Sequence, residues 1–156
     1  MLASENEVIK IEVGLREPLL RATLHGEAHT LLLNPVTEAH MVPAIVVNSL
    51  SWEEAMAEKL RAALTRREAA IRDYYDIFHA ISNLDFSIRS PEIVKLVREK
   101  LAIPGNDKID LSDGRLEILR AQEKSELEPV LRSADFSNFD LEWTFSQLRS
   151  FASLIE

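Results

Sequence analysis

The chain has 156 residues, 46% of them hydrophobic and 28% charged, which is typical of one globular domain and excludes a disordered or fibrous protein. Eighteen basic against 26 acidic residues give a net charge of −8, which disfavours general binding to duplex nucleic acid, and the lack of cysteine excludes disulfides and cysteine-ligated zinc. Because the longest charge-free stretch, residues 39–52, is too short to span a bilayer and no signal peptide is evident, we expect a cytoplasmic protein without a membrane partner.

Strands are predicted in the first fifty residues. Residues 8–13 alternate apolar and charged side chains, as a half-buried strand does. A second apolar run, residues 29–33, ends at Asn34-Pro35, and residues 44–48 form a third, β-branched run. The short spacing between these runs favours a small antiparallel or mixed sheet.

Helical periodicity replaces the strand pattern from residue 49 onward. Ser51 and Glu54 predict a capping box at the start of a first helix, whose apolar stripe begins with Trp52. Further helices are predicted over residues 68–84, from Pro91 to about residue 103, and two or three times more, the last from about residue 140. Strands followed by helices in one short chain predict an α+β fold.

A basic window lies within this acidic chain. Residues 58–72 contain five basic and only two acidic side chains. Helical phase places Lys59 at the edge of the first helix's apolar stripe and Arg66 two turns further on the same strip. Asp73 lies beside the stripe of the second helix, followed at i+3 by Asp76, with which Arg72 is spaced to pair.

An antiparallel pair of helices would bring Lys59 and Asp73 to one cleft. A lysine there is suited to bind phosphate as a point charge, and an aspartate can orient it. A structural ion pair between the helices explains the same spacing, and both interpretations remain open at this point.

Two motifs connect these charges to a known family. Residues 49–62 read S-L-S-W-E-E-A-M-A-E-K-L-R-A, and after Arg67 residues 72–77 read R-D-Y-Y-D-I. In order and spacing they resemble the AbiEii/AbiGii nucleotidyltransferase-like toxins of type IV toxin–antitoxin and abortive infection systems. The resemblance covers residues 8–84. It implies a partial nucleotidyltransferase-type sheet over residues 1–50, packed as one unit with a helical region over residues 51–156.

Roles for individual residues follow from the resemblance. Lys59 and Asp73 correspond to the family's nucleotide-contacting lysine and essential aspartate, and the strand containing Glu12 resembles one that carries a metal carboxylate. We expect phosphate contacts from Lys59, Arg66, Arg67 and Arg72, supported by Glu58, Arg61 and Asp76. The implied substrate is a nucleoside triphosphate with Mg²⁺, the acceptor in some members is the 3′ end of tRNA, and the implied partner is a cognate antitoxin.

One part of the family pattern is missing. The family's Gly-Ser or Gly-Gly turn, followed by an Asp-x-Asp pair that carries the metal, occurs nowhere in this sequence. Glu12 alone cannot hold a two-metal site, so we expect the chain to be inactive or incomplete as it stands. The strand over residues 8–13 would then have a free edge, for which we expect dimerisation, strand exchange or a missing N-terminal segment. The alternative is a non-catalytic interaction module that binds a partner protein or a nucleic-acid end.

Overall fold

A computed structural model describes residues 18–155, which form a two-stranded sheet followed by a helical region. The elements are β1 (Leu24–Ala28), β2 (Ile45–Ser49), α1 (Trp52–Thr65), α2 (Ile71–Asn83), α3 (Pro91–Leu101), α4 (Asp113–Gln122), a π-helical turn (Glu123–Leu127), α5 (Ser133–Asn138) and α6 (Leu141–Ile155). The α+β prediction is therefore confirmed.

The sheet is an antiparallel pair, with Leu24 of β1 opposite Ser49 of β2. The third predicted run corresponds to β2 within one residue, but the strand predicted over residues 29–33 is wrong, because β1 precedes that segment and ends at Ala28. The strand predicted over residues 8–13 lies outside the described residues.

A turn replaces the strand expected at residues 29–33. The side chain of Asn34 accepts hydrogen bonds from the backbone N–H groups of Val36 and Thr37, at 2.9 and 3.0 Å. An asparagine bonded in this way offers the backbone an alternative to ladder pairing. Strand-like pairing is consequently reduced here to a single antiparallel bridge between Leu33 and His40.

Only half of the predicted capping box forms at the start of α1. Ser51 Oγ accepts the N–H of Glu54 at 3.2 Å, as expected of an N-cap. The Glu54 carboxylate instead accepts the N–H groups of Leu20 and Arg21, at 2.9 and 2.8 Å, and Nζ of Lys100, at 3.1 Å. The first turn of α1 is thereby joined to the segment before β1 and to α3.

The core of the described residues is helical, whereas β1 and all but one residue of β2 are exposed. The largest fully buried hydrophobic side chains are Tyr74, Phe145, Phe151, Leu60, Leu64, Ile71, Ile77, Leu96, Leu119, Leu127 and Leu148. Trp52 was predicted to belong to the buried stripe of α1, but it is 45% exposed at the first turn. Among the helices of residues 18–155, none has the length and apolar character needed to cross a bilayer.

Candidate functional site

Two cations of α1 and its C-cap converge on one aspartate of α2. Lys59 Nζ lies 3.2 Å from Asp73 Oδ1, and Arg66 Nη1 lies 3.1 Å from Asp73 Oδ2. Lys59 Nζ is also 2.7 Å from Asp76 Oδ2. We call these four residues the Asp73 cluster. The expected approach of Lys59 and Asp73 is present.

The Asp73 cluster combines a buried anion with accessible cations. The Asp73 side chain is 7% exposed, whereas the side chains of Lys59 and Arg66 are 41% and 51% exposed. Arg66 balances the charge of the buried Asp73 Oδ2, but it is not aligned to donate a hydrogen bond to that atom. The cluster therefore holds two cations in place while leaving part of each available to a ligand.

Lys59 remains charged in this setting. Partial burial acts to lower the pKa of its ammonium group, but the carboxylates of Asp76 and Asp73 outweigh this effect and hold the pKa above its ordinary value. The pairing predicted between Arg72 and Asp76 is wrong, because Asp76 contacts Lys59 instead. Arg72 is exposed and forms no ion pair within the described part of the chain.

The linker between α1 and α2 is held by side chains of α4. Arg115 is buried, and its Nη2 donates to the carbonyl of Arg66 at 2.6 Å. Gln122 Nε2 donates to the carbonyl of Ala69 at 2.8 Å, and its Oε1 accepts the N–H of Ile71 at 3.0 Å. Because these contacts keep residues 66–70 out of a helix, α2 begins at Ile71 and not at the predicted residue 68.

The end of α1 is satisfied by partners from elsewhere in the chain. The hydroxyl of Tyr74 donates to the carbonyl of Ala63 at 2.9 Å, and the N–H of Asp110 donates to the carbonyl of Leu64 at 3.0 Å. Burial raises the pKa of Tyr74, so this hydroxyl stays protonated as a donor. The last turn of α1, which precedes Arg66, is thus fixed in position.

The other predicted charged residues lie next to the Asp73 cluster. Arg61 forms an ion pair with Glu58 and donates to Asn106 Oδ1 at 2.9 Å. Arg67 approaches Asp107 with 3.6 Å between Nε and Oδ2. Arg61, Arg66 and Arg67 line a polar cavity of about 220 Å³.

Lys59 and Asp76 also line an apolar cavity of about 300 Å³. Trp52, Met56 and Leu84 contribute to its walls. The sequence patterns had not indicated this cavity, nor Arg115 and Gln122. Helical phase did place Lys59 close to Trp52 at the edge of the apolar stripe of α1. No local pattern identifies the partners on α4, which are 49–53 residues away from the linker.

The described carboxylates do not fit a Mg²⁺ site. Mg²⁺ prefers carboxylate oxygens in octahedral geometry, but both aspartates of the Asp73 cluster are engaged by cations. Within residues 18–155 no group of three or more acidic or histidine side chains is placed to bind a metal. Glu12, the predicted metal ligand, lies outside the described residues. The aspartates of the Asp73 cluster therefore hold side-chain cations of the protein itself.

The small antiparallel sheet that leads into helices defines an α+β protein. Its charged site lies between neighbouring helices, where a lysine contacts two aspartates. The sequence matches the family model of the nucleotidyl transferase AbiEii toxin, type IV toxin–antitoxin system, over residues 2–150. The chain belongs to this family, which confirms the resemblance found in the motifs. No curated protein and no solved structure shows a significant match. Membership implies nucleotidyltransferase-like function in general, with a nucleotide substrate and an antitoxin partner.

Proposed function

We propose that this chain binds a nucleoside triphosphate at the Asp73 cluster and does not transfer the nucleotide by itself. The convergence of Lys59 and Arg66 on buried Asp73 is the observation that supports binding. Asp73 and Asp76 act as positioning residues, because they hold the cations without occupying their solvent-facing sides. Arg66 can form paired hydrogen bonds with phosphate oxygens, and Lys59 acts as a point charge.

The line of cations extends beyond the Asp73 cluster. Arg67 is 87% exposed and lies with Arg66 along the polar cavity, so it can contact the distal phosphates. Glu58 and Arg61 support this arrangement by joining α1 to Asn106. Arg72 retains a phosphate-binding role only by its match to the family motif.

Transfer requires carboxylates that this sequence does not contain in the family's arrangement. There is no Asp-x-Asp pair in the chain, and the aspartates of the Asp73 cluster are already paired. Only one of the metal carboxylates that the family uses has a counterpart in this sequence, namely Glu12. We expect Mg²⁺ and chemistry at this site only when another polypeptide segment supplies the remaining ligands.

Two measurements test this proposal. Calorimetric titration with ATP and CTP should give saturable binding that Lys59→Ala weakens at least about tenfold, since a phosphate contact with a charged donor is lost. Lys95→Ala is the matched control, because Lys95 is an exposed lysine of α3 whose ion pair is with Glu99. Equal affinity of the parent and Lys59→Ala would refute the site. Incorporation of labelled nucleotide into tRNA by the chain alone would refute the dependence on other ligands.

A second candidate is a non-catalytic module that binds a partner protein. Large apolar side chains are exposed on the sheet and its connecting loop, among them Leu31 at 99%, Val36 at 87% and Val46 at 74%. Exposed apolar patches commonly mark protein interfaces, and the family implies an antitoxin. Antitoxin binding without any nucleotide binding in the calorimetric titration would favour this second function.

A further inference from the structure

We propose that the apolar cavity beside Lys59 is the nucleobase subsite and that Trp52 is the surface on which the base stacks. This inference rests on the proposed nucleotide function and adds to it the part of the site that receives the base. The family motifs gave Trp52 no role, because its position was explained as part of an apolar stripe.

The spacing of three residues supports this assignment. Trp52, Lys59 and Arg66 follow one another at intervals of seven along α1 and its C-cap. Seven residues make nearly two turns, so the three side chains lie on one strip, with about 10 Å along the axis between neighbours. A nucleotide lying along this strip would place its base at Trp52 and its phosphates at Lys59 and Arg66.

The walls of the cavity match the chemistry of a base. Trp52 is fixed by an edge-to-face contact with Phe86, with ring centroids 6.2 Å apart, yet remains 45% exposed. Met56 and Leu84 provide apolar walls, and the volume of about 300 Å³ lies within the range of small-molecule sites. An indole held in place but still accessible is suited to stacking.

The polar groups of the cavity lie where a nucleotide would need them. Lys59 and Asp76, which both belong to the Asp73 cluster, form the charged part of its lining. His79 contributes a ring that can hydrogen-bond with the edge of a base. The cavity is thus apolar where the base would lie and charged where the sugar and first phosphate would begin. An apolar side chain of a partner protein would leave these charged groups unused.

Intrinsic fluorescence provides a direct readout, because the chain has only two tryptophans, Trp52 and Trp143. In the Trp143→Phe variant all tryptophan emission comes from Trp52. ATP should quench this emission saturably, whereas inorganic tripolyphosphate should bind, as measured by calorimetry, without quenching. In Trp52→Phe, the emission of Trp143 should not respond to ATP.

Affinities separate the base from the phosphates. Trp52→Leu should weaken ATP binding about tenfold and tripolyphosphate binding less than about twofold, and Trp52→Phe should restore most of the ATP affinity. Equal losses for the two ligands would show a structural role for Trp52 and overturn the proposal. If Trp52→Leu fails to fold, the quenching experiment and Trp52→Phe decide.

The same measurements distinguish failure of the base subsite from failure of the proposed nucleotide binding. If the parent binds ATP no more tightly than tripolyphosphate and Trp52 emission does not change, the base subsite is refuted while phosphate binding stands. If the parent binds neither ligand, the proposed function fails, and the base subsite fails with it. Quenching by an apolar peptide but not by ATP would assign the cavity to a protein partner and overturn the proposal.

Discussion

Arg115 Nη2 donates to the backbone carbonyl of Arg66 across 2.6 Å, although the two residues are 49 positions apart in the chain. The same guanidinium lies 3.3 Å from a carboxylate oxygen of Asp110. Arg115 is buried, so it acts on the surface of the protein only through the residues it holds. Its position makes it a candidate positioning residue for the cations of the Asp73 cluster.

Arg115→Lys should weaken ATP binding through Arg66. Because lysine lacks the guanidinium fork, it cannot hold both the linker carbonyl and Asp110. We expect about a fivefold loss of ATP affinity in the parent background and less than about twofold in an Arg66→Ala background, as measured by calorimetry in a double-mutant cycle. Arg120→Lys, an exposed change on the same helix, should have no effect. Equal losses in both backgrounds would show that Arg115 acts independently of Arg66.

Tyr74→Phe should destabilise the chain by about 1–2 kcal/mol. The change leaves the buried carbonyl of Ala63 without the hydroxyl that donates to it at 2.9 Å, whereas the stacking of the ring on Phe145 is preserved. Urea denaturation followed by circular dichroism measures the difference. Tyr75→Phe is the control, because Tyr75 is the adjacent residue and is less deeply buried than Tyr74. This change should cost less than about 0.5 kcal/mol. A loss as large for Tyr75→Phe would contradict the importance of the Ala63 contact.

Glu54→Gln should lower the stability of the fold at neutral pH and make that stability less dependent on pH in the acid range. Burial acts to raise the pKa of Glu54, but hydrogen bonds from Leu20, Lys100 and Arg21 outweigh it and hold the pKa below its ordinary value of 4.5. The folded chain therefore releases this proton more readily than the unfolded chain, so the stabilisation is present above pH 4.5 and is lost as the pH falls through the folded-state pKa.

Neutral glutamine removes one of the two carboxylates that face buried Lys100, and only Glu58, with its Oε2 3.5 Å from Nζ, remains. We therefore expect a cost of about 2 kcal/mol at pH 7. Thermal unfolding between pH 3 and pH 7 measures both effects. Glu53→Gln, in the same helical turn, is the control and should retain the acid dependence of the parent. If Glu54→Gln loses stability on acidification as steeply as the parent, another group is responsible.

Asp73→Asn and Asp76→Asn distinguish an anchoring carboxylate from an accessory one. The Asp73 side chain is 7% exposed and contacts two cations, whereas that of Asp76 is 44% exposed. We expect Asp73→Asn to cost about 2 kcal/mol and Asp76→Asn less than about 1 kcal/mol in urea denaturation. Although it makes the site more positive, Asp73→Asn should also lower ATP affinity, because Lys59 and Arg66 lose their common anchor. A gain in affinity would mean that Asp73 competes with phosphate for the cations.

Local sequence was sufficient for features that depend on neighbours within a few positions. Ser51 caps α1 as predicted, and α3 begins at Pro91 as predicted, directly after the N-cap Ser90. In both caps the serine hydroxyl accepts a backbone N–H three residues later. The approach of Lys59 and Asp73 was predictable for a related reason. Both lie on adjacent helices joined by a short linker, and helical phase alone places each at the edge of its apolar stripe.

Tertiary packing determined the features that depend on partners distant in the chain. The position of β1 followed from pairing with β2, whereas the local apolar run at residues 29–33 was interrupted by the turn at Asn34. Glu54 was drawn from its predicted cap to Lys100, 46 residues away, because burial of that ammonium group needs a charged partner.

The same distinction applies to the site. The cations of the Asp73 cluster could be identified from motif and spacing, but the residues that hold their linker could not. Arg115 and Gln122 bond to backbone carbonyls of residues 66–69, and any sequence presents such carbonyls. Backbone carbonyls that are withdrawn from water need a hydrogen-bond donor. Which side chains reach the linker carbonyls is decided only by the packing of α4 against the linker.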